Sequence, residues 1–261
     1  MIPFHTVTGP EDAPVLVLSN SLGATLEMWD PQAAKLAERF RLVRYDTRGH
    51  GGSETPPGPY SIEDVGGDVI DLLDHLEVER AHVAGLSLGG MTAMWLAIHA
   101  PRRVSRLVLL CTSPKLGPAQ GWAERAATVR EKGTGAIVDA TMQRWLTGGF
   151  RAEHPDTVTW LREMFVGIDD EGYASCCSVI ERMDLVPNLD GVSVPTLVIA
   201  GAQDPATPPD PHAKHIIEGI PGSRLEVLDP GAHLVNVEQP EAVTQLMVDH
   251  LEERWIATKP A

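Results

Sequence analysis

The stretch Ala81-His82-Val83-Ala84-Gly85-Leu86-Ser87-Leu88-Gly89-Gly90 decides how this chain folds. The mostly small and apolar residues up to Leu86 read as a buried strand, and the run from Leu88 to His99 reads as a helix. Ser87 therefore sits at a sharp strand-to-helix turn, where Gly85 and Gly89 let the backbone fold tightly and lift the hydroxyl clear. The positive end of the helix then lies beside any negative charge that develops at the serine. A bare G-x-S-x-G match arises easily by chance; with a strand before it and a helix after it, Ser87 reads as a nucleophile rather than a structural turn serine.

Outward from this turn, strands and helices alternate. Val15–Leu18 and Leu42–Tyr45 read as strands, with helical spacing between about Met28 and Phe40. Ser61 resembles an N-cap with Asp64 three residues on, leading to Leu72, Leu73 and Leu76 on one face. Further strands are expected at Val104–Leu110, Thr196–Ala200 and Arg224–Leu228, and further helices near Pro211–Glu218 and from Pro240 to about Arg254. Such repetition builds an α/β fold with a mostly parallel central sheet flanked by helices, whose sites lie at the carboxyl ends of the strands. Between residues 115 and 188 the strand signal disappears and helical segments rich in Trp, Met and Arg take over. The expected organisation is a core of residues 1–114 and 189–261 with a helical cap of residues 115–188. The tail after Trp255 is expected to fray.

Composition narrows the function. The chain has 261 residues, a formal charge of −15, and hydrophobic and charged fractions of 43% and 22%, ordinary values for one globular unit. The acidic surplus argues against nucleic acid as a partner, and it requires a local cation for any anionic substrate. Cys111, Cys176 and Cys177 cannot form a disulfide framework and read as free thiols. The N-terminus lacks a signal-peptide pattern and no apolar run reaches membrane-span length, so the default location is the cytoplasm with no membrane partner. Self-association is left open.

A serine hydroxyl needs a base, usually a histidine oriented by a carboxylate. His233 follows the strand Arg224–Leu228, in the loop Asp229-Pro230-Gly231-Ala232-His233, and comes last in the chain as the order serine, acid, histidine requires. For the acid, Asp204 ends a strand-like segment where it would enter the cleft. Asp229 competes by sequence proximity but is poorly placed to brace the ring from behind, and it reads better as a turn former. An oxyanion hole would use the N–H of Leu88 and that of Leu22 in the loop Ser19-Asn20-Ser21-Leu22-Gly23, unless that loop is a simple turn. His212 and His215, three apart, lack further metal ligands. Arg48 and His50 read as loop organisers, and Met91, Met94 and Trp95 as core. No metal or organic cofactor is required.

The sequence resembles the α/β-hydrolase family and, within it, is similar to the 3-oxoadipate enol-lactonases of aromatic-compound catabolism. The resemblance spans nearly the whole chain. It is carried by Leu18–Gly23, by Arg44–Ser53 and by Gly85–Gly90, with narrower matches in Arg144-Trp145-Leu146-Thr147 and Glu171–Ser175. The Asp46–Ser53 loop and the Ser87 turn are shared with esterases and non-haem haloperoxidases and so identify fold and nucleophile only. The strands that usually open the fold are abbreviated, which leaves the first edge of the sheet open. The resemblance implies a small anionic lactone as substrate, its carboxylate held by Arg144 and its ring covered by Trp145. The competing reading pairs Arg144 with a cap carboxylate and makes Trp145 a cap anchor. Other functions left open are a broader carboxylesterase or perhydrolase and, from a different class, a ligand receptor on a hydrolase fold.

Overall fold

The computed structural model describes residues 1–252. Among them, seven strands form one sheet: β1 (His5–Thr8), β2 (Val15–Ser19), β3 (Arg41–Tyr45), β4 (Ala81–Leu86), β5 (Val104–Leu110), β6 (Thr196–Gly201) and β7 (Arg224–Leu228). They lie in the order β1-β3-β2-β4-β5-β6-β7, with β1 antiparallel to β3 and the other pairs parallel. The register sets Val17 beside Val83, Val83 beside Leu107 and Leu109 beside Val198. β4, β5 and β6 are buried along almost their whole length, as near-continuous apolar strands covered on both faces must be.

Three helices accompany the first half of the sheet: α1 (Asp30–Ala37), α2 (Ile62–His75) and α3 (Leu88–His99). α3 packs on β4 and β5 and is covered by α2; Met91, Met94 and Trp95 are all buried on it. The expected Ser61 cap is a full capping box. The Asp64 N–H donates to Ser61 Oγ at 3.1 Å, and the Ser61 N–H donates to Asp64 Oδ2 at 2.8 Å.

Between β5 and β6 the chain forms α4 (Ala119–Lys132), α5 (Val138–Trp145), α6 (Gly148–Glu153), α7 (Pro155–Val166) and α8 (Asp170–Arg182), with no strand. The segment leaves and rejoins the sheet at one place, where the Leu185 N–H donates to Pro114 O at 2.9 Å. α8 then meets the loop after β3 backbone to backbone: a Cβ on Gly49 would overlap Gly172, and one on Gly172 would overlap Gly49. Beyond β6 come α9 (Lys214–Gly219), α10 (Val235–Glu238) and α11 (Pro240–Glu252), the last packed on α1.

The structure departs from the sequence reading at three places. β1 closes the edge that the sequence left open, pairing Val7 with Val43; its four residues, His-Thr-Val-Thr, carry one apolar side chain and so no periodic signal. The helix expected near 211–218 is split: Pro209–Ala213 is a π-helical turn in which Asp210, between two prolines, has extended angles, and α9 begins only at Lys214. The last helix reaches Glu252; its expected continuation to Arg254 and the tail after Trp255 lie outside the described residues. No helix among the described residues is long and apolar enough to cross a membrane.

Replacing Ser61 by Ala removes one half of the capping box at the start of α2. The expected loss is about 1 kcal/mol of unfolding free energy, read as a lower urea midpoint with an unchanged slope.

Candidate active site

Ser87 has φ 57° and ψ −115°, a conformation that costs a non-glycine residue about 1–3 kcal/mol and persists only where the surroundings enforce it. Here they do. The Ser87 N–H donates to Leu110 O at 2.9 Å, while Ser87 O accepts from Thr112 Oγ1 at 2.7 Å and from the Met91 N–H at 3.0 Å. A Cβ on Gly85 would overlap the Gly89 carbonyl, and one on Gly89 would overlap the Ser19 carbonyl. The first turn of α3 thus lies directly against the ends of β4 and β2.

Asp204 follows β6 in a turn closed by its own N–H on Gly201 O at 3.2 Å. Its Oδ2 accepts from His233 Nδ1 at 2.8 Å and from Thr207 Oγ1 at 2.6 Å, and its Oδ1 accepts from the Ala206 and Thr207 N–H groups at 2.8 and 3.1 Å. Burial pushes the Asp204 pKa up, but the charge and hydrogen bond of His233 and the Thr207 bonds outweigh it, so the carboxyl titrates below its ordinary value. With Nδ1 donating to this carboxylate, Nε2 is the ring nitrogen left to accept a proton. The His233 loop lies on the Asp204 turn because residue 201 is glycine: a Cβ there would overlap the Gly231 and Ala232 carbonyls. Asp229 is exposed and accepts from Gln203 Nε2 at 3.1 Å, away from the imidazole.

The loop after β2 is fixed by side chains. Asn20 Nδ2 donates to Tyr45 O at 2.7 Å, Trp29 Nε1 donates to Asn20 Oδ1 at 3.1 Å, and the Gly23 N–H donates to His50 Nε2 at 3.0 Å. The amide N–H groups of Leu22 and Leu88 meet no acceptor among the described residues. His50 lies buried, with Nδ1 on Arg48 O at 3.2 Å. Burial lowers its pKa to about 4, so near neutral pH it is an uncharged acceptor for Gly23. Arg48 holds Asp68 through Nε at 2.6 Å and Nη2 at 2.7 Å.

Ser87 and His233 share the wall of a cavity of about 520 Å³, bounded on its far side by Trp122, Arg125, Ile137 and Arg144. Arg125 Nε donates to Tyr173 Oη at 2.6 Å and its Nη2 to Thr141 Oγ1 at 2.9 Å, with the guanidinium over the Tyr173 ring. Among the described residues neither Arg125 nor Arg144 has a carboxylate partner, and no cap carboxylate holds Arg144. Desolvation, followed by the charge of Arg125, lowers the Arg144 pKa. Trp145 corrects the sequence reading: it does not line the cavity, and its ring is buried edge-on against Phe165 with centroids 5.5 Å apart. The aromatic group at the cavity is Trp122, which the sequence reading missed together with Arg125. Their spacing of three on a predicted helix was the available signal.

Residues 14–132 match the alpha/beta hydrolase fold family. Over 238 residues, 91% of this chain and 88% of the relative, the sequence is 46% identical to 3-oxoadipate enol-lactonase 2 of Acinetobacter baylyi. The chain belongs to the α/β-hydrolase family. Among solved structures, the enol-lactonase from Burkholderia xenovorans superposes with a TM-score of 0.94 at 42% identity, covering 96% of each chain. A thermophilic esterase from Thermogutta terrifontis superposes with a TM-score of 0.89 at 30% identity, covering 95% of this chain and 92% of that one.

In this α/β-hydrolase Glu124 also lines the cavity, accepting from Gln120 Nε2 at 2.8 Å, while two further titratable groups near the site are engaged elsewhere. His212 Nδ1 lies 2.9 Å from Ser113 Oγ, and no group of three or more His, Cys, Asp or Glu able to hold a metal occurs among the described residues. Cys111 is a buried thiol pointing at Ala232 O, and burial with the charge of Asp204 pushes its pKa well above the ordinary value.

His50 makes the hydrolase sensitive to acid. The folded state binds its proton less tightly than the unfolded chain, where the pKa is about 6.5. Stability from this group is therefore complete above that value and is lost as pH falls toward about 4, by up to about 3 kcal/mol. Urea unfolding at pH 7 and pH 4.5 measures the loss, and His50→Asn is expected to lose less than wild type over the same interval.

Proposed function

We propose that this hydrolase opens 3-oxoadipate enol-lactone to 3-oxoadipate, with Ser87 as nucleophile, His233 as general base and Asp204 as its orienting acid. The observation that carries this reading is the composition of one cavity: Ser87 and His233 on one side, and on the other Arg125 and Arg144 without carboxylate partners. In a chain of net charge −15, two unneutralised guanidiniums beside a nucleophile favour a substrate that carries its own carboxylate. The enol-lactonase relatives support that choice of substrate. In this reading residues 115–188 are a cap over a core of residues 1–114 and 189–261, and the cap supplies the cations while the core supplies the chemistry.

The reaction begins when Ser87 Oγ attacks the lactone carbonyl carbon as His233 Nε2 takes the hydroxyl proton. The carbonyl oxygen becomes an oxyanion held by the N–H groups of Leu22 and Leu88. Collapse of this intermediate breaks the ring C–O bond, and the departing enol oxygen receives the proton from His233. The enol tautomerises to a ketone, which removes the group that could close the ring again. The acyl chain stays esterified to Ser87 until water, losing a proton to His233 Nε2, adds to its carbonyl; collapse breaks the bond to Ser87 Oγ, which takes that proton back as the second carboxylate is released. Asp204, kept ionised, stabilises the imidazolium in both halves.

Turnover on the enol-lactone against a neutral lactone of similar size tests the assignment. Ser87→Ala is expected to lower kcat by roughly 10⁴-fold or more. Arg144→Ala is expected to raise KM for the anionic lactone by about 10- to 100-fold, the worth of one charged hydrogen-bonded contact, and to leave the neutral lactone unaffected. A pure protein that cleaves short neutral esters and leaves the enol-lactone untouched is instead a broad carboxylesterase; the Thermogutta relative is an esterase.

A further inference from the structure

Glu238 ends α10, five residues beyond His233, and three donors converge on its carboxylate. Oε1 accepts from the Thr147 N–H at 2.7 Å and from Thr147 Oγ1 at 2.8 Å, and Oε2 accepts from the Ala232 N–H. Ala232 directly precedes His233. On the other side of the histidine, the Leu234 N–H donates to Trp145 O at 2.9 Å. Both neighbours of His233 are thus fastened to the same three-residue stretch, Trp145–Thr147, which begins one residue after Arg144.

Among the described residues none of the donors to Glu238 is a cation, and no ion pair involves its carboxylate. A carboxylate is the side chain that offers acceptors on both of its terminal atoms; an amide offers one acceptor oxygen and an NH₂ that can only donate. The carboxylate lies at the edge of an open cleft of about 370 Å³ lined by Thr147, Phe150, Gln203, Pro230 and Glu238, while Ala232, His233 and Leu234 are buried behind it.

We infer that Glu238 is a positioning residue that sets the backbone of His233 against Trp145–Thr147, so that the segment carrying Arg144 and the general base keep one relative placement. The inference rests on the reading of His233 as base. Glu238 does not touch the substrate, and its effect is exerted through the imidazole.

The test compares Glu238→Gln, Thr147→Val, Thr147→Ser and His233→Ala with wild type, on the enol-lactone and on p-nitrophenyl acetate. Active sites are titrated with a fluorophosphonate, and folding is followed by circular dichroism. Glu238→Gln keeps the shape but turns an NH₂ toward a donor, and kcat per titrated site is expected to fall by roughly 10²-fold, the order of effect of a 1 Å displacement. The loss is expected on both substrates, with KM within about twofold of wild type, whereas loss of a substrate contact appears in KM for the anion alone. Thr147→Val, which removes one of the three donors, falls in the same direction by a smaller factor, and Thr147→Ser restores wild-type rates. A folded Glu238→Gln protein with kcat within about threefold of wild type overturns the inference. If that variant does not fold, wild-type kcat in Thr147→Val overturns it equally. Undiminished turnover in His233→Ala overturns the base assignment itself, which separates the two failures.

Discussion

A serine at φ 57° is held there by its neighbours or it relaxes, and the way this chain holds Ser87 accounts for much of what surrounds it. The backbone N–H is tied to the last residue of β5, and the carbonyl to Thr112 just beyond that strand. The turn closes only if α3 starts against the end of β2, and Gly89 makes that contact backbone to backbone with Ser19. One strained residue thereby fixes the order of β2, β4 and β5 at the centre of the sheet. It also brings the Leu88 amide next to the loop that contains Leu22. The burial of α3 and of the three strands beneath it supplies the free energy against which about 1–3 kcal/mol of local strain is small.

The topology then gathers the rest. Parallel strands deliver their following loops to one end of the sheet, so the turn after β6 and the loop after β7 arrive beside Ser87 although Asp204 and His233 are far from it in sequence. The helices between β5 and β6 leave and return at that same end, through the Pro114 and Leu185 stem, and α8 is seated on the Gly49 loop. Arg125 on α4 is in turn held to Tyr173 on α8. The wall opposite Ser87 is therefore anchored to the core through α8 and through the bonds from Trp145 and Thr147 to the His233 loop.

How much of this was legible in the sequence depends on the range of the interaction that decides each feature. β2 and β4 to β6 announce themselves as mostly apolar runs, β3 and β7 as short segments that mix apolar with charged residues, and Ser61 with Asp64 is a local contact three residues long. Asp204 and His233 were readable as candidates from chain order and from their places after strands, and the structure places their side chains in contact. β1 was not legible, because His5–Thr8 becomes a strand only through its pairing with β3. Trp145 and Trp122 were confused for a related reason. Each occupies an apolar position of a helix, and helical periodicity shows which face turns inward without showing whether that face meets Phe165 or an open cavity. The bond from Gly23 to His50 joins residues that no local pattern connects, and the bonds from Thr147 to Glu238 join residues 91 apart in the chain.

The acidic surplus of the chain and the basic wall of its cavity act over different distances. At physiological ionic strength the screening length is about 8 Å, so carboxylates scattered over the surface contribute little at the cavity floor. A unit charge about 4 Å from a guanidinium at an effective dielectric constant near 20 gains about 4 kcal/mol before desolvation is counted. Desolvation, followed by the charge of Arg125, depresses the pKa of Arg144 in the absence of a carboxylate. On the proposed reading, an anion entering the cavity gains charge-assisted contacts with the guanidiniums that a neutral ester cannot make. On that reading, discrimination by charge needs no exclusion of neutral ligands by shape; it follows from placing two guanidiniums without carboxylate partners on the cavity that Ser87 also lines.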